Sequence, residues 1–208
     1  INGAHKATMA NFGCSTVDVF RPVRVTILTT GDEVGNFQQE TPMPWQLRNS
    51  NREAIATLLT AHNWISIVSV EHCIDDQKQL HDTLTDRLKT SDAILITGGV
   101  SMGDYDYVPD VIKGLGGDIV FHGLPIRPGK PVLGAATNNG KLLLGLPGNP
   151  VSATIGCQRL GIPLLATMAG KNNWLPKVPS VQLKNGGQKS IPLTWLRLVK
   201  LVDNGVAE

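Results

Sequence analysis

No two cysteines in this chain form a CxxC pair; Cys14, Cys73 and Cys157 are odd in number and lie far apart. That spacing excludes a thiolate zinc site and a disulfide framework, and it points to free thiols in a reducing compartment. No apolar run reaches the roughly 18 residues of a membrane span, and no charged-then-apolar leader is present, so the chain reads as cytoplasmic with no membrane partner. The formal net charge of +2 is too small for a nucleic-acid surface, so any anion binding must be local. A GxxxxGK[ST] phosphate loop is missing, and Gly98-Gly99-Val100-Ser101-Met102-Gly103 does not fit GxGxxG, which removes the ATPase and nicotinamide readings. Internal repeats are absent too, so solenoid folds drop out.

What is present is an ordinary apolar content of 41% with 22 glycines and 13 prolines, a composition suited to many elements joined by short turns. A chain of 208 residues accommodates one main domain with extra pieces at its ends. It opens on Ile1, and residues 1–19 are weakly patterned, with Gly3 and Gly13 expected to break any helix. They read as the remnant of an upstream domain or linker. From Val23 to Leu115 the pattern runs strand, helix, strand, helix, strand, helix, the signature of a doubly wound, mostly parallel sheet.

Local signals place the ends of these elements. Ser50-Asn51-Arg52-Glu53 matches a capping box, and Asn63 is a candidate stop for the helix it starts. Asp75 or Asp76 caps the next helix, whose apolar face is Leu80, Leu84 and Leu88. Asn138-Asn139-Gly140 joins Pro131–Ala135 to Leu142–Leu146 as a hairpin, so one antiparallel edge is expected. Asn149 and Pro150 fit the cap and first position of a helix reaching Gly170, which Pro163 should kink or divide. The expected fold is a three-layer α/β/α sandwich over 20–170, followed over 171–208 by the start of a β-rich module.

The apolar strand Ala93–Thr97 runs into Gly98-Gly99-Val100-Ser101-Met102-Gly103 and then into Asp104 and Asp106. In open α/β sheets ligands sit beyond the carboxyl ends of such strands. Two more strand ends carry acids, Asp32 and Glu33 in one, Asp75 and Asp76 in the other. A short cationic turn, Arg127-Pro128-Gly129-Lys130, lies between two later strands. Each motif alone has a bland reading as a solvated turn or a helix cap. Together they suit Mg²⁺ held with a substrate phosphate, the cations neutralising an oxyanion.

Taken in order, TGDE at Thr30–Glu33, RNSN at Arg48–Asn51, TGGVSMGDYDY at Thr97–Tyr107, RPGKP at Arg127–Pro131 and LPGNPVSA at Leu146–Ala153 resemble the molybdopterin molybdenumtransferases, the MoeA-type proteins related to a domain of gephyrin. The resemblance covers about Phe20 to Gly170 and implies insertion of molybdate into adenylylated molybdopterin with release of AMP, assisted by Mg²⁺, in a full-length protein that is a homodimer. It implies catalytic and metal-binding roles for Glu33, Asp75 and Asp106, with Asp76 able to trade places with Asp75, and a charge-stabilising role for Arg127. The pterin phosphate would be cradled by Gly98, Gly99, Ser101, Gly103, Lys130, Pro147, Gly148, Asn149 and Ser152. Gly123 stands where some members carry a further cation. The rival readings are a molybdopterin adenylyltransferase, whose turn usually reads GGTG, and a non-catalytic pterin-binding fragment.

Overall fold

The apolar runs assemble into one six-stranded sheet with helices packed on both faces. The computed structural model describes residues 1–35, 38, 41–101, 106–171, 180–184, 192–197, 199–203 and 206–207. Gly103, Asp104, Pro176, Pro179 and Asn185-Gly186-Gly187 lie outside the described residues. In chain order the elements are α1 (Gly3–Asn11), β1 (Val23–Thr30), β2 (Val34–Gly35), β3 (Leu47–Arg48), α2 (Ser50–Thr60), β4 (Ile65–Cys73), α3 (Gln77–Thr90) and β5 (Ala93–Thr97). After these come α4 (Val108–Gly114), β6 (Gly117–His122), β7 (Ile126–Arg127), β8 (Leu133–Thr137), β9 (Leu142–Leu146), α5 (Pro150–Gly156) and α6 (Ile162–Met168). Four short strands end the chain, β10 (Gln182–Leu183), β11 (Thr194–Trp195), β12 (Leu201–Asp203) and β13 (Val206–Ala207).

Strand order in the main sheet is β4-β1-β5-β9-β8-β6. Pairs β4/β1, β1/β5 and β5/β9 are parallel, whereas β9/β8 and β8/β6 are antiparallel. The expected hairpin thus forms at this edge, closed by the Gly140 amide donating to the Thr137 carbonyl at 2.8 Å. Burial on both faces explains the unbroken apolar runs. Val25, Ile27, Leu95 and Leu144 face α2, α5 and α6, while Leu28, Ile94, Ile96 and Leu143 face α3 and α4. Removing such a side chain from water is worth about 1.5–3 kcal/mol.

Several ends differ from the sequence expectation. Residues 3–11 are helical despite Gly3, because Asn2 accepts from the His5 amide at 3.0 Å and the His5 ring accepts from the Asn2 amide. The cap of α2 is Asn49, which accepts from the Arg52 amide at 3.1 Å, and Ser50 is already helical. Glu53 pairs with Arg52 instead of reaching back. Helix α2 also stops before Asn63, at Thr60. Asp76 is the residue that caps α3, accepting from the Gln79 amide at 2.7 Å. As expected, the long helix is divided: a π-helical turn, Cys157–Gly161, separates α5 from α6, with Pro163 in the first turn of α6.

At the opposite edge from the glycine turns, Asp92 ties β1 to the segment before it. Its carboxylate accepts from both Arg21 Nη atoms at 2.5 and 2.8 Å, from the Arg24 amide at 2.9 Å and from Arg24 Nη2 at 3.0 Å. The Arg21 guanidinium, seconded by Arg24, holds the Asp92 carboxyl well below the usual carboxylate range. A depressed carboxyl stabilises the fold above its unfolded value near 4, and that stability is lost as pH falls through the folded value. Asp92→Asn is therefore expected to cost roughly 1 kcal/mol at pH 7 in urea unfolding, with the difference from wild type shrinking below about pH 4.

Candidate functional site

The site follows from the connections. Helix α2 carries the chain from β1 to β4 on one side, and α3 returns it past β1 to β5 on the other face, so the direction of winding reverses between β1 and β5. A crevice opens at the carboxyl ends of strands where this happens. Here it is a cavity of about 650 Å³ lined by the segments after β1, β4, β5 and β9 and by the start of α2.

Three acids reach it from three segments: Glu33 from the turn after β1, Asp75 from the end of β4 and Asp106 from the stretch before α4. The β1 and β4 turns interlock, since the Asp75 amide donates to Asp32 Oδ1 at 2.9 Å and the Asp32 amide reaches Asp75 Oδ2 at 3.4 Å. With Asp76 committed to its helix, Asp75 is the acid of that pair in the cavity wall. Burial pushes the Asp75 carboxyl above its ordinary value, and the Asp32, Glu33 and Asp106 carboxylates push the same way against the Asp32 amide. Such a pocket attracts cations. Among the described residues no three His, Cys, Asp or Glu side chains converge as a ready metal cage. Mg²⁺ needs none, because it is bound by one or two carboxylates together with substrate phosphate, and the donors here are of the right kind.

The floor is backbone. Gly98 and Gly99 take φ of 90° and 61°, and a Cβ on Gly98 would lie 2.8 Å from the Thr30 carbonyl oxygen. Opposite them Gly148 and Asn149 line the cavity, with Asn149 capping α5 through the Ser152 amide at 3.1 Å. The wall to which sequence reasoning gave a helix-capping role but no part in the site is RNSN. Arg48, Asn49, Ser50 and Asn51 all line the cavity, Asn49 buried and donating to Thr29 Oγ1 at 2.8 Å. The signal was there, since RNSN is one of the motifs that carry the resemblance and it opens a helix.

Other candidate residues stand outside the lining. Ser101 is exposed, Pro147 is buried beneath Gly148, and Ser152 is held by Asn149. Arg127 and Lys130 are exposed on their turn. There β11 pairs with β7, the Leu196 amide donating to the Arg127 carbonyl at 2.7 Å, and the Arg127 guanidinium lies 5.4 Å from the Trp195 ring centre. The cysteines are chemically quiet where buried: burial pushes the Cys157 thiol up to about 12 and raises Cys73 as well.

The family model described as a probable molybdopterin binding domain matches residues 26–167. A molybdopterin molybdenumtransferase of Nostoc sp. is 34% identical over 179 residues, which is 85% of this chain and 41% of that protein. The chain belongs to the molybdopterin molybdenumtransferase family. One from Staphylococcus epidermidis is 30% identical over 94% of the chain and 46% of its own length. The molybdopterin biosynthesis MoeA protein of Pyrococcus horikosii superposes with a TM-score of 0.76 at 27% identity, covering the whole chain and 50% of that structure. A Thermus MoaB structure, at TM-score 0.52 and 23% identity, shares the fold over 72% of the chain. The chain thus spans about half the length of its molybdenumtransferase relatives. Among the described residues no helix is long and apolar enough to cross a membrane.

Two consequences distinguish this family pocket from a set of ordinary turns. Because the Asp75 carboxyl is raised in the folded state, its ionisation opposes folding: its contribution is favourable below the unfolded value near 4 and is lost as pH rises through the folded one. Asp75→Asn is expected to raise Tm by about a degree at pH 7 and to have no such effect at pH 3, read by thermal denaturation. Gly98→Ala is expected to cost about 2 kcal/mol, since it meets both the positive φ and the Thr30 carbonyl, whereas Gly148→Ala, with its nearest obstacle 3.8 Å away, stays within about 0.5 kcal/mol.

Proposed function

We propose that 20–170 is the pterin-binding α/β domain of a molybdopterin molybdenumtransferase and that its cavity takes adenylylated molybdopterin, into which molybdate is inserted with release of AMP. The observation that carries this reading is the meeting of Glu33, Asp75 and Asp106 over a floor of Gly98, Gly99 and Gly148 at the switch point of the sheet. Glycine backbone lets a flat ring and its phosphate approach closely, and the acids stand where a phosphoanhydride would be opened.

In this reading Glu33 and Asp106 orient the attacking oxygen and accept its proton as the bond to AMP breaks. Asp75, raised in its pocket, holds that pair of turns in register. These carboxylates, together with the substrate phosphates, would hold Mg²⁺, which would supply positive charge against the leaving phosphate. Arg127 and Lys130 stand outside the cavity on the separate turn after β7, the strand with which β11 pairs, and in this reading they would meet substrate charge from there. The MoaB structure shares only the fold with this chain and adds nothing to the adenylyltransferase alternative.

The test is an assay of AMP release from adenylylated molybdopterin in the presence of molybdate and Mg²⁺. Glu33 is exposed, so Glu33→Ala is expected to keep stability within about 0.5 kcal/mol of wild type while slowing AMP release by about 100-fold or more. Pterin binding by wild type with no AMP release at any protein concentration would reduce this chain to a binding module.

A further inference from the structure

Asn51, the second residue of α2, holds a contact whose purpose the fold does not explain. Its Nδ2 donates to the Gly148 carbonyl at 2.8 Å, joining the α2 wall of the cavity to the β9 wall across 97 residues of chain. Both residues line the cavity. The other end of the amide is in a poor position: Oδ1 is shut off from water and has no hydrogen-bond partner among the described residues. The amide cannot gain by turning over, because that would set Oδ1 against the Gly148 carbonyl oxygen.

A single, partly exposed hydrogen bond does not offset the desolvation of an acceptor left without a partner. Asn51 therefore adds little or nothing to the stability of the fold, and its contact needs another explanation. Gly148 supplies one. It faces Gly98 across the floor, the Gly98 Cα lying 3.8 Å from where a Gly148 Cβ would be, and the Gly98 amide donates to the Leu146 carbonyl at 3.1 Å. The start of α2 is itself anchored, through Asn49 to Thr29 in β1. One rigid path thus runs from β1 through α2 and Asn51 to Gly148 and the glycine floor.

We propose that Asn51 is a positioning residue that fixes Gly148 against Gly98 and so sets the width of the ligand cavity. The identity of the ligand as a pterin nucleotide rests on the function proposed above; the mechanical role does not. The residue acts through Gly148, not on the reacting atoms, so its loss loosens the floor without unfolding the chain.

The experiment compares the wild-type chain with Asn51→Ala and Asn51→Asp by three measurements: Tm, the ¹⁵N order parameter of the Gly148 amide, and the Kd for adenylylated molybdopterin. Asn51→Asp replaces the donor with a carboxylate facing a carbonyl, so it is the harsher change in spite of its equal size. Expected are a Tm within about 2 °C of wild type in Asn51→Ala, a Gly148 order parameter falling from about 0.85 to about 0.6, and Kd weakened about tenfold, with Asn51→Asp weaker still. An unchanged Gly148 order parameter in Asn51→Ala overturns the proposal, and so does an unchanged Kd in a chain whose wild type binds. A large fall in Tm overturns it as well, by making Asn51 a structural residue. Failure of wild type to bind the pterin nucleotide sinks only the ligand reading, and the Gly148 amide still decides the role of Asn51.

Discussion

At the carboxyl edge of the sheet two backbones meet with no room for a methyl group between them. A Cβ on Gly98 would stand 2.7 Å from Thr30 Oγ1 and 2.8 Å from the Thr30 carbonyl, at a φ of 90° that side chains rarely adopt. This close approach lets the turns after β1 and β5 lie side by side, and the cavity exists because they do. The parallel register that pairs Thr29 with Thr97 brings the two strands to the edge together. The third wall then follows from β9, whose Leu146 carbonyl receives the Gly98 amide.

Electrostatics give the same edge its chemical character. Burial and the like charges gathered around Asp75 oppose its ionisation against the Asp32 amide, whereas Arg21 and Arg24 hold Asp92 ionised at the opposite edge. The sheet thus has one end where the Asp92 carboxylate strengthens the fold and one where the Asp75 carboxylate weakens it. Groups held at a cost to stability are characteristic of binding and catalytic sites. Asp32 shows how the cost is contained, because its carboxylate takes the Asp75 amide and so pins the two turns that repel each other.

Composition, spacing and motif order made the main features legible before any coordinates. Unbroken apolar runs such as Ala93–Thr97 and Leu142–Leu146 coincide with β5 and β9, and the Asn-Asn-Gly turn forms the hairpin. Glycine turns and acids at strand ends announced where a ligand would sit. Less legible were choices between chemically similar neighbours. Asn49, Ser50 and Asn51 can all cap a helix, and Asp75 and Asp76 are adjacent and identical in type. In the first set tertiary partners decided, Thr29 taking Asn49 and Gly148 taking Asn51; in the second, Asp76 went to the Gln79 amide of its own helix and left Asp75 to the cavity.

The sequence by itself determined the alternation of strands and helices, because period and burial are written into the order of apolar and polar residues. It also determined the family, through motifs whose residue types each suit a turn at a strand end. Only the tertiary structure decided which of those residues share a wall. It brought Glu33, Asp75, Asp106 and the RNSN segment together and left Arg127 on a separate turn beside Trp195. The physical reason is that proximity across the cavity depends on strand order and winding direction, which put residues nearly a hundred positions apart, such as Asn51 and Gly148, within one hydrogen bond of each other.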